Sequence, residues 1–194
     1  MVLSEVGVRP NTISWKQMLR RGLPMLFIPV VILVIIILSG SFYFLEYFHV
    51  LVGSTWTGMD LVMGVFFSYI MAGLDPRQKS EIAVRLTPTM LFFMPSIAAS
   101  TITAGIYLAF ALHFSFYNGY FIIVAVLVLI LFVQGLGIFL PNEARVYLEI
   151  VRGSHDIDKI VRLTMFNLRL SLVQLMIQIV VIFFMAFFAT GGMG

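Results

Sequence analysis

Residues 120–140 read YFIIVAVLVLILFVQGLGIFL, and this stretch decides the fold class. It contains no charged side chain, and it matches the roughly 20 residues that an α-helix needs to cross the hydrocarbon core of a bilayer. Of the 194 residues in the chain, 61% are hydrophobic and only 11% are charged. Soluble domains have about a quarter charged residues, so the composition predicts an all-α integral membrane protein.

Four further apolar runs surround this stretch and predict a five-helix transmembrane domain over residues 24–189, a four-helix bundle with one extra N-terminal helix. The predicted spans are residues 24–39, 42–72, 88–112, 120–140 and 163–189. Residues 1–23 are mixed and polar, which is typical of a cytoplasmic segment lying on the membrane surface. Residues 73–87 are predicted to form a charged loop. Pro88 suits the first turn of the third helix, and Pro141 is expected to end the fourth.

The placement of the basic residues supports this number of spans. With five spans, every lysine and arginine falls on one side of the membrane, which the positive-inside rule identifies as the cytoplasm. The N-terminus is therefore predicted to be inside and the C-terminus outside. This clustering at span ends argues against a nucleic-acid partner. The basic residues are Arg9, Lys16, Arg20, Arg21, Arg77, Lys79, Arg85, Arg145, Arg152, Lys159, Arg162 and Arg169.

Polar and small residues recur at helical spacing in three of the spans. Polar groups at membrane depth are costly unless they face partners or a cavity, so these faces are predicted to point at each other. Asp60, Gln174 and Gln178 are then expected to line a polar or proton-conducting cavity; the alternative is that such residues only hold helices together. The three sets are His49, Gly53, Trp56, Asp60 and Gly64; Ser96, Ser100, Thr103 and Tyr107; and Asn167, Ser171, Gln174 and Gln178.

His49 and His113 are candidate ligands of a haem iron. If the third span begins at Pro88, their distances from the inner ends of their two spans agree within ~3 Å at the standard helical rise. Two imidazoles at one level suit bis-histidine ligation of haem. Gly53, one turn from His49, is expected to leave room for a porphyrin beside Trp56. The alternatives are packing for His49 and an interfacial anchor for His113.

A motif in the second span resembles a known membrane family. Residues 48–58 read FHVLVGSTWTG, a histidine followed by six residues, a tryptophan, one residue and a glycine; residues 86–90 read LTPTM, with Gly105 later in that span. The chain is similar here to the four-helix haem-binding family of the copper-resistance protein D domain and the HemJ-type protoporphyrinogen oxidases. The resemblance implies that His49 binds haem b. The oxidases carry a further histidine at the inner end of this helix, where residues 68–72 read SYIMA.

The functional hypothesis is a haem-b-binding subunit that transfers electrons within a larger membrane complex, exchanging them with a quinone or an external redox protein. The predicted location is the cytoplasmic membrane of a prokaryote. One alternative is an accessory subunit without a cofactor. Others are a HemJ-like porphyrinogen oxidase and a metal-ion-handling protein that uses His49, His113 and Glu46. The chain has no cysteine, which excludes disulfides and thiolate chemistry.

Overall fold

The computed structural model describes residues 15–115, 117–152 and 156–190, so residues 1–14 of the predicted interfacial segment lie outside the described part. Five long helices make up the fold, and each is long and apolar enough to cross a membrane. The predicted five-span, all-α architecture is confirmed; where the bilayer borders fall along the helices stays a prediction. The helices are α1 (Trp15–Ser39), α2 (Phe42–Ala72), α3 (Pro76–Ala111), α4 (Gly119–Arg152) and α5 (Ile157–Ala189).

Local capping explains where α3 begins. The side chain of Asp75 accepts a hydrogen bond from the backbone N–H of Gln78, the Gln78 side chain accepts one from the Asp75 N–H, and Pro76 occupies the first helical position. This capping box starts the helix a dozen residues before the predicted first turn. The prediction that residues 73–87 form a loop and that Pro88 begins the helix is therefore wrong. Pro88 is buried inside α3.

Two of the helices contain a wide turn with π geometry. These segments are Val62–Phe67 in α2 and Gly135–Phe139 in α4. The second lies directly before Pro141, and α4 continues through that proline to Arg152. Pro141 was expected to end the helix; the wide turn before it accommodates the proline ring and the missing N–H, so the helix goes on.

Close backbone contacts hold the bundle together. A Cβ added at Gly64 would lie 2.7 Å from the backbone nitrogen of Leu172, so α2 and α5 are in near contact at this point. On the other side, α1 packs against α3, where the Ser96 hydroxyl donates a hydrogen bond to the carbonyl of Leu26 at 2.6 Å. Ser96 was predicted to face α2 and α5, and it faces α1 instead because α1 covers that side of α3.

The buried apolar side chains form two clusters, one in each half of the bundle. The cluster in the outer half joins α1, α2, α3 and α4 around Phe48 and Trp56, and the cluster in the inner half joins α3, α4 and α5. Buried polar side chains line α5 between the two clusters, so the polar groups are enclosed within the bundle. The clusters comprise Leu33, Leu45, Phe48, Val52, Trp56, Ile97, Ala104, Leu108 and Leu131, and Ala83, Val146, Tyr147, Ile150 and Ile160.

Candidate functional site

His49 lies between α2 and α3 and is held by the backbone of α3. Its Nδ1 is 2.9 Å from the carbonyl oxygen of Thr101. Because a carbonyl can only accept, Nδ1 carries the proton and Nε2 keeps its lone pair. The imidazole also lies against Gly105, where an added Cβ would be 2.9 Å from the Cε1 atom of His49. The backbone of α3 thus fixes both the position and the tautomer of this ring.

His113 is not brought to the level of His49. Its backbone φ is 54°, and its N–H donates to the carbonyl of Phe110, so His113 forms the left-handed residue that ends α3. The side chain is exposed. Thr101 and Gly105 are the residues opposite His49, and His113 follows Gly105 by about 12 Å at the helical rise. The predicted pairing of the two imidazoles is therefore wrong.

The physical reason is the tight turn between α2 and α3. Only residues 73–75 separate Ala72 from Pro76, so the two helices start their antiparallel packing at the same level. Both helices rise by the same distance per residue from this turn, so His49 in α2 lies opposite Thr101 and its neighbours in α3. The depth predicted for His113 had used Pro88 as the inner end of the helix.

Gly53 and Trp56 contribute to packing around this histidine. A Cβ at Gly53 would lie 3.2 Å from the Cγ2 atom of Thr101, so α3 already fills the space that Gly53 leaves. Trp56 is 6% exposed and belongs to the outer core cluster. Within residues 15–115, 117–152 and 156–190, no three His, Asp or Glu side chains come together to hold a metal ion. The predicted set of His49, His113 and Glu46 is thus not assembled.

Asp60 meets Gln178, as the polar faces predicted. The Gln178 amide donates from Nε2 to the Asp60 Oδ2 atom at 2.9 Å, and the two side chains are 4% and 0% exposed. The Asp60 Oδ1 and Gln178 Oε1 atoms are buried without a hydrogen-bond partner among the described residues. A buried carboxyl at membrane depth with a free oxygen is a candidate for carrying a proton or binding a polar group.

A second polar group lies near the inner ends of α4 and α5. The Asn142 side chain donates to Asn167 at 3.0 Å, and the Asn167 side chain donates to the Glu143 Oε1 atom at 3.0 Å. The other carboxyl oxygen of Glu143 and the hydroxyl of Thr164 are buried, and neither has a hydrogen-bond partner in the part of the chain described. Asn167 was predicted to face inward, and it does.

The polar side chains predicted on one face of α5, from Asn167 to Gln178, are buried. Buried side chains follow one side of the helix from the Glu143 group to Asp60, all of them 5% exposed or less. Polar side chains therefore lie between the two buried carboxyl groups, where they could interact with a proton carrier or a polar ligand. The row comprises Thr164, Asn167, Ser171, Gln174 and Gln178.

A cavity of about 110 Å³ lies beside this polar row, with walls from α2, α3, α4 and α5. Glu143, Thr164 and Asn167 line its inner end, and Trp56 and Ile102 line its outer end. Gln174 lines it as well, whereas Asp60 and Gln178 are not among its walls. The cavity therefore differs from the predicted polar one: of the three residues expected to line it, only Gln174 does, and it reaches towards Glu143, away from Asp60.

Sequence reasoning missed several residues of this arrangement. Thr101 contributes a backbone carbonyl to His49, and any residue type provides one, so no sequence signal marked it. Glu143 follows Pro141, which was expected to end the fourth helix, so it was not assigned to any site. Two clues were available in the sequence. Glu143 directly follows Asn142, and it comes shortly after the glycine-containing stretch 135–139.

Comparisons with protein families, curated proteins and solved structures find no match to this chain.

Proposed function

We propose that this chain is an electron-transfer subunit of a membrane complex and that it binds haem b through the Nε2 atom of His49. One observation carries the proposal, the 2.9 Å hydrogen bond between the His49 Nδ1–H and the Thr101 carbonyl. Histidines that bind metals usually donate their other ring N–H to a carbonyl or carboxylate, which orients the ring and raises its basicity. His49 has this arrangement inside a membrane-spanning bundle.

His49 offers one axial ligand of the haem. Thr101 and Gly105 of α3 occupy the space beside Gly53 and against the ring, so haem binding requires α3 to move aside. His49 lies among apolar side chains of the outer cluster, such as Phe48 and Val52, which keep water away from the ring. A bound haem supplies a one-electron centre, and the chain's own contribution is to orient the imidazole and to exclude water. His113 is too far along the chain to be the second ligand, so the proposal assigns that position to another subunit or leaves it open.

The protein acts in a lipid bilayer in this proposal. The charge pattern and the family resemblance suggest the cytoplasmic membrane of a prokaryote. Other membrane subunits are its proposed neighbours. A quinone or an external redox protein is the proposed partner in electron exchange. The row of polar side chains on α5 then offers a route for the protons that accompany quinone chemistry.

A second candidate is an accessory subunit without a cofactor. The close contact of the His49 ring with Gly105 favours this role. An imidazole that is hydrogen-bonded and packed against a glycine also stabilises the contact between α2 and α3. In that case His49 contributes to the stability of the bundle and to nothing else. The presence or absence of haem separates the two candidates.

The test is an absorption spectrum of the purified protein, produced with added haem precursor and read before and after dithionite. We expect a Soret band and a pyridine haemochrome of haem b in the wild type, loss of both in His49→Ala, and retention in His113→Ala. His113 is the matched control because it is a histidine outside the bundle. A folded wild type without haem, or an unchanged spectrum in His49→Ala, would refute the haem proposal and leave the accessory role.

A further inference from the structure

We propose that the cavity bounded by α2, α3, α4 and α5 binds a membrane-dissolved hydroquinone, with the hydroxyl end of the ring at Glu143 and Thr164. The hydroquinone is the electron-exchange partner in the proposed function, so its role in this protein rests on that proposal. The binding itself does not require haem, so the two proposals can fail separately.

The size and walls of the cavity suit an aromatic ring. Its volume of about 110 Å³ is close to the roughly 150 Å³ of an engineered apolar cavity that accommodates benzene. Most of the lining is apolar and includes Met90, Met94, Phe132 and Leu136. Methionine and phenylalanine side chains make favourable contacts with aromatic rings.

The inner end of the cavity is built to accept a hydrogen bond. The Asn167 amide holds one oxygen of Glu143 at 3.0 Å. The other oxygen, Oε2, is buried near the Thr87 side chain and has no hydrogen bond of ordinary length among the described residues. The hydroxyl of Thr164, whose side chain is 3% exposed, is also unpartnered there. A buried polar atom without a partner is unfavourable, so a ligand that donates a hydroxyl hydrogen to Glu143 is favoured.

The charges of the lining residues determine which amphiphilic membrane molecules can bind in the cavity. Of the residues that line the cavity, none is a lysine or an arginine, and Glu143 is acidic. A phosphate or fatty-acid headgroup would bring a negative charge to a carboxyl without a compensating cation. A hydroquinone is neutral and carries hydroxyl donors. A hydroquinone hydroxyl both donates and accepts, so it can pair with the Glu143 carboxyl and the Thr164 hydroxyl at once, whereas a quinone carbonyl can only accept. The reduced form is therefore the preferred ligand.

The wall formed by α4 gives a route from the bilayer. Phe132 and Leu136 line the cavity and are 44% and 46% exposed on the outside of the bundle. Gly135 lies between them, and nothing described lies within 4 Å of the position that its Cβ would occupy. It begins the wide turn Gly135–Phe139, and such turns are frequent at functional sites. A ring with an isoprenoid tail can therefore enter sideways and leave its tail among the lipids.

The experiment measures binding of tritiated 2-decyl-1,4-hydroquinone to the full chain in nanodiscs under anaerobic conditions. We expect saturable binding that is weakened about tenfold by Glu143→Gln, since the amide has one acceptor oxygen, which Asn167 occupies, where the carboxyl has two oxygens. Glu81→Gln is the matched control, because Glu81 is an exposed carboxyl that pairs only with Arg77 among the described contacts. We expect Ala98→Phe, which fills the cavity, to abolish binding.

Competition separates the proposed ligand from other amphiphiles. Unlabelled 2-decyl-1,4-benzoquinone should compete at least fivefold more weakly than the hydroquinone, and dodecanol and oleate should compete more weakly still. Equal competition by dodecanol or by the benzoquinone would overturn the proposal, as would unchanged binding in Glu143→Gln. If that variant does not fold, Thr164→Val provides the same test of the polar end.

The same measurement on His49→Ala distinguishes this inference from the proposed function. Hydroquinone binding that persists in this variant, or in a wild type without haem, supports the cavity independently of the cofactor. A haem spectrum without hydroquinone binding would overturn the cavity proposal and leave the electron-transfer proposal standing.

Discussion

Replacing Gly64 by alanine tests the closest contact between α2 and α5. The added Cβ would lie 2.7 Å from the backbone nitrogen of Leu172 and 2.9 Å from its Cα. Comfortable contacts between heavy atoms are about 3.5–4.0 Å, so the two helices must separate by roughly 1 Å. The obstructing atoms belong to the backbone, and a change of side-chain rotamer cannot relieve the clash.

The expected cost follows from this separation. Overpacking of a tight interface costs about 1–3 kcal/mol in the free energy of unfolding. Asp60, one turn before Gly64, accepts its hydrogen bond from Gln178 at 2.9 Å, and a 1 Å separation takes that distance beyond hydrogen-bonding range. Such a bond contributes about 0.6 kcal/mol in membrane proteins. We therefore expect Gly64→Ala to lower the free energy of unfolding by about 2–3 kcal/mol.

The assay is unfolding in mixed micelles with increasing sodium dodecyl sulfate, followed by circular dichroism. Gly58→Ala is the control, because no atom of the described residues outside its own helical turn lies within 4 Å of the Cβ position at Gly58. The control should match the wild type or exceed it, since alanine favours the helix over glycine. If Gly64→Ala unfolds at the same detergent fraction as Gly58→Ala, the described contact of α2 with α5 is wrong.

Two further predictions use the same unfolding assay. Asp60→Leu and Gln178→Leu should each cost about 1–3 kcal/mol because each leaves a buried polar partner, whereas the double variant should cost less than the sum; additive losses would show that the two side chains do not interact. Ser96→Ala should cost about 0.5–1 kcal/mol through loss of its hydrogen bond to the Leu26 carbonyl, and an unchanged midpoint would place α1 elsewhere on the bundle.

The number of helices and their buried faces could be predicted from the sequence because both depend on the local spacing of apolar and polar residues. Spacings of three and four residues along α5 placed Asn167 and Gln178 on one side, and burial of both confirms that side. The meeting of Asp60 with Gln178 followed because a carboxyl at membrane depth needs a polar partner. These inferences required only that polar groups avoid lipid.

The register between helices was harder to predict because it depends on where each helix begins. Pro88 was a plausible first residue, but the cap formed by Asp75, Pro76 and Gln78 is stronger and begins α3 earlier. That shift moved the partner of His49 from His113 to Thr101. The position of Glu143 was missed for a related reason, since the helix was expected to end at Pro141, and the wide turn Gly135–Phe139 lets it continue.

The wide turn at Gly135–Phe139 makes α4 tolerant of one particular deletion. A π turn holds one more residue than a regular α-helical turn, so removing one residue within it lets the helix close up while Glu143 still faces the bundle. Each residue of a regular α-helix turns the chain by about 100°, so removing one residue between Phe139 and Glu143 would instead swing Glu143 towards the lipid tails. Deletions after the wide turn should therefore be far more harmful than deletions within it.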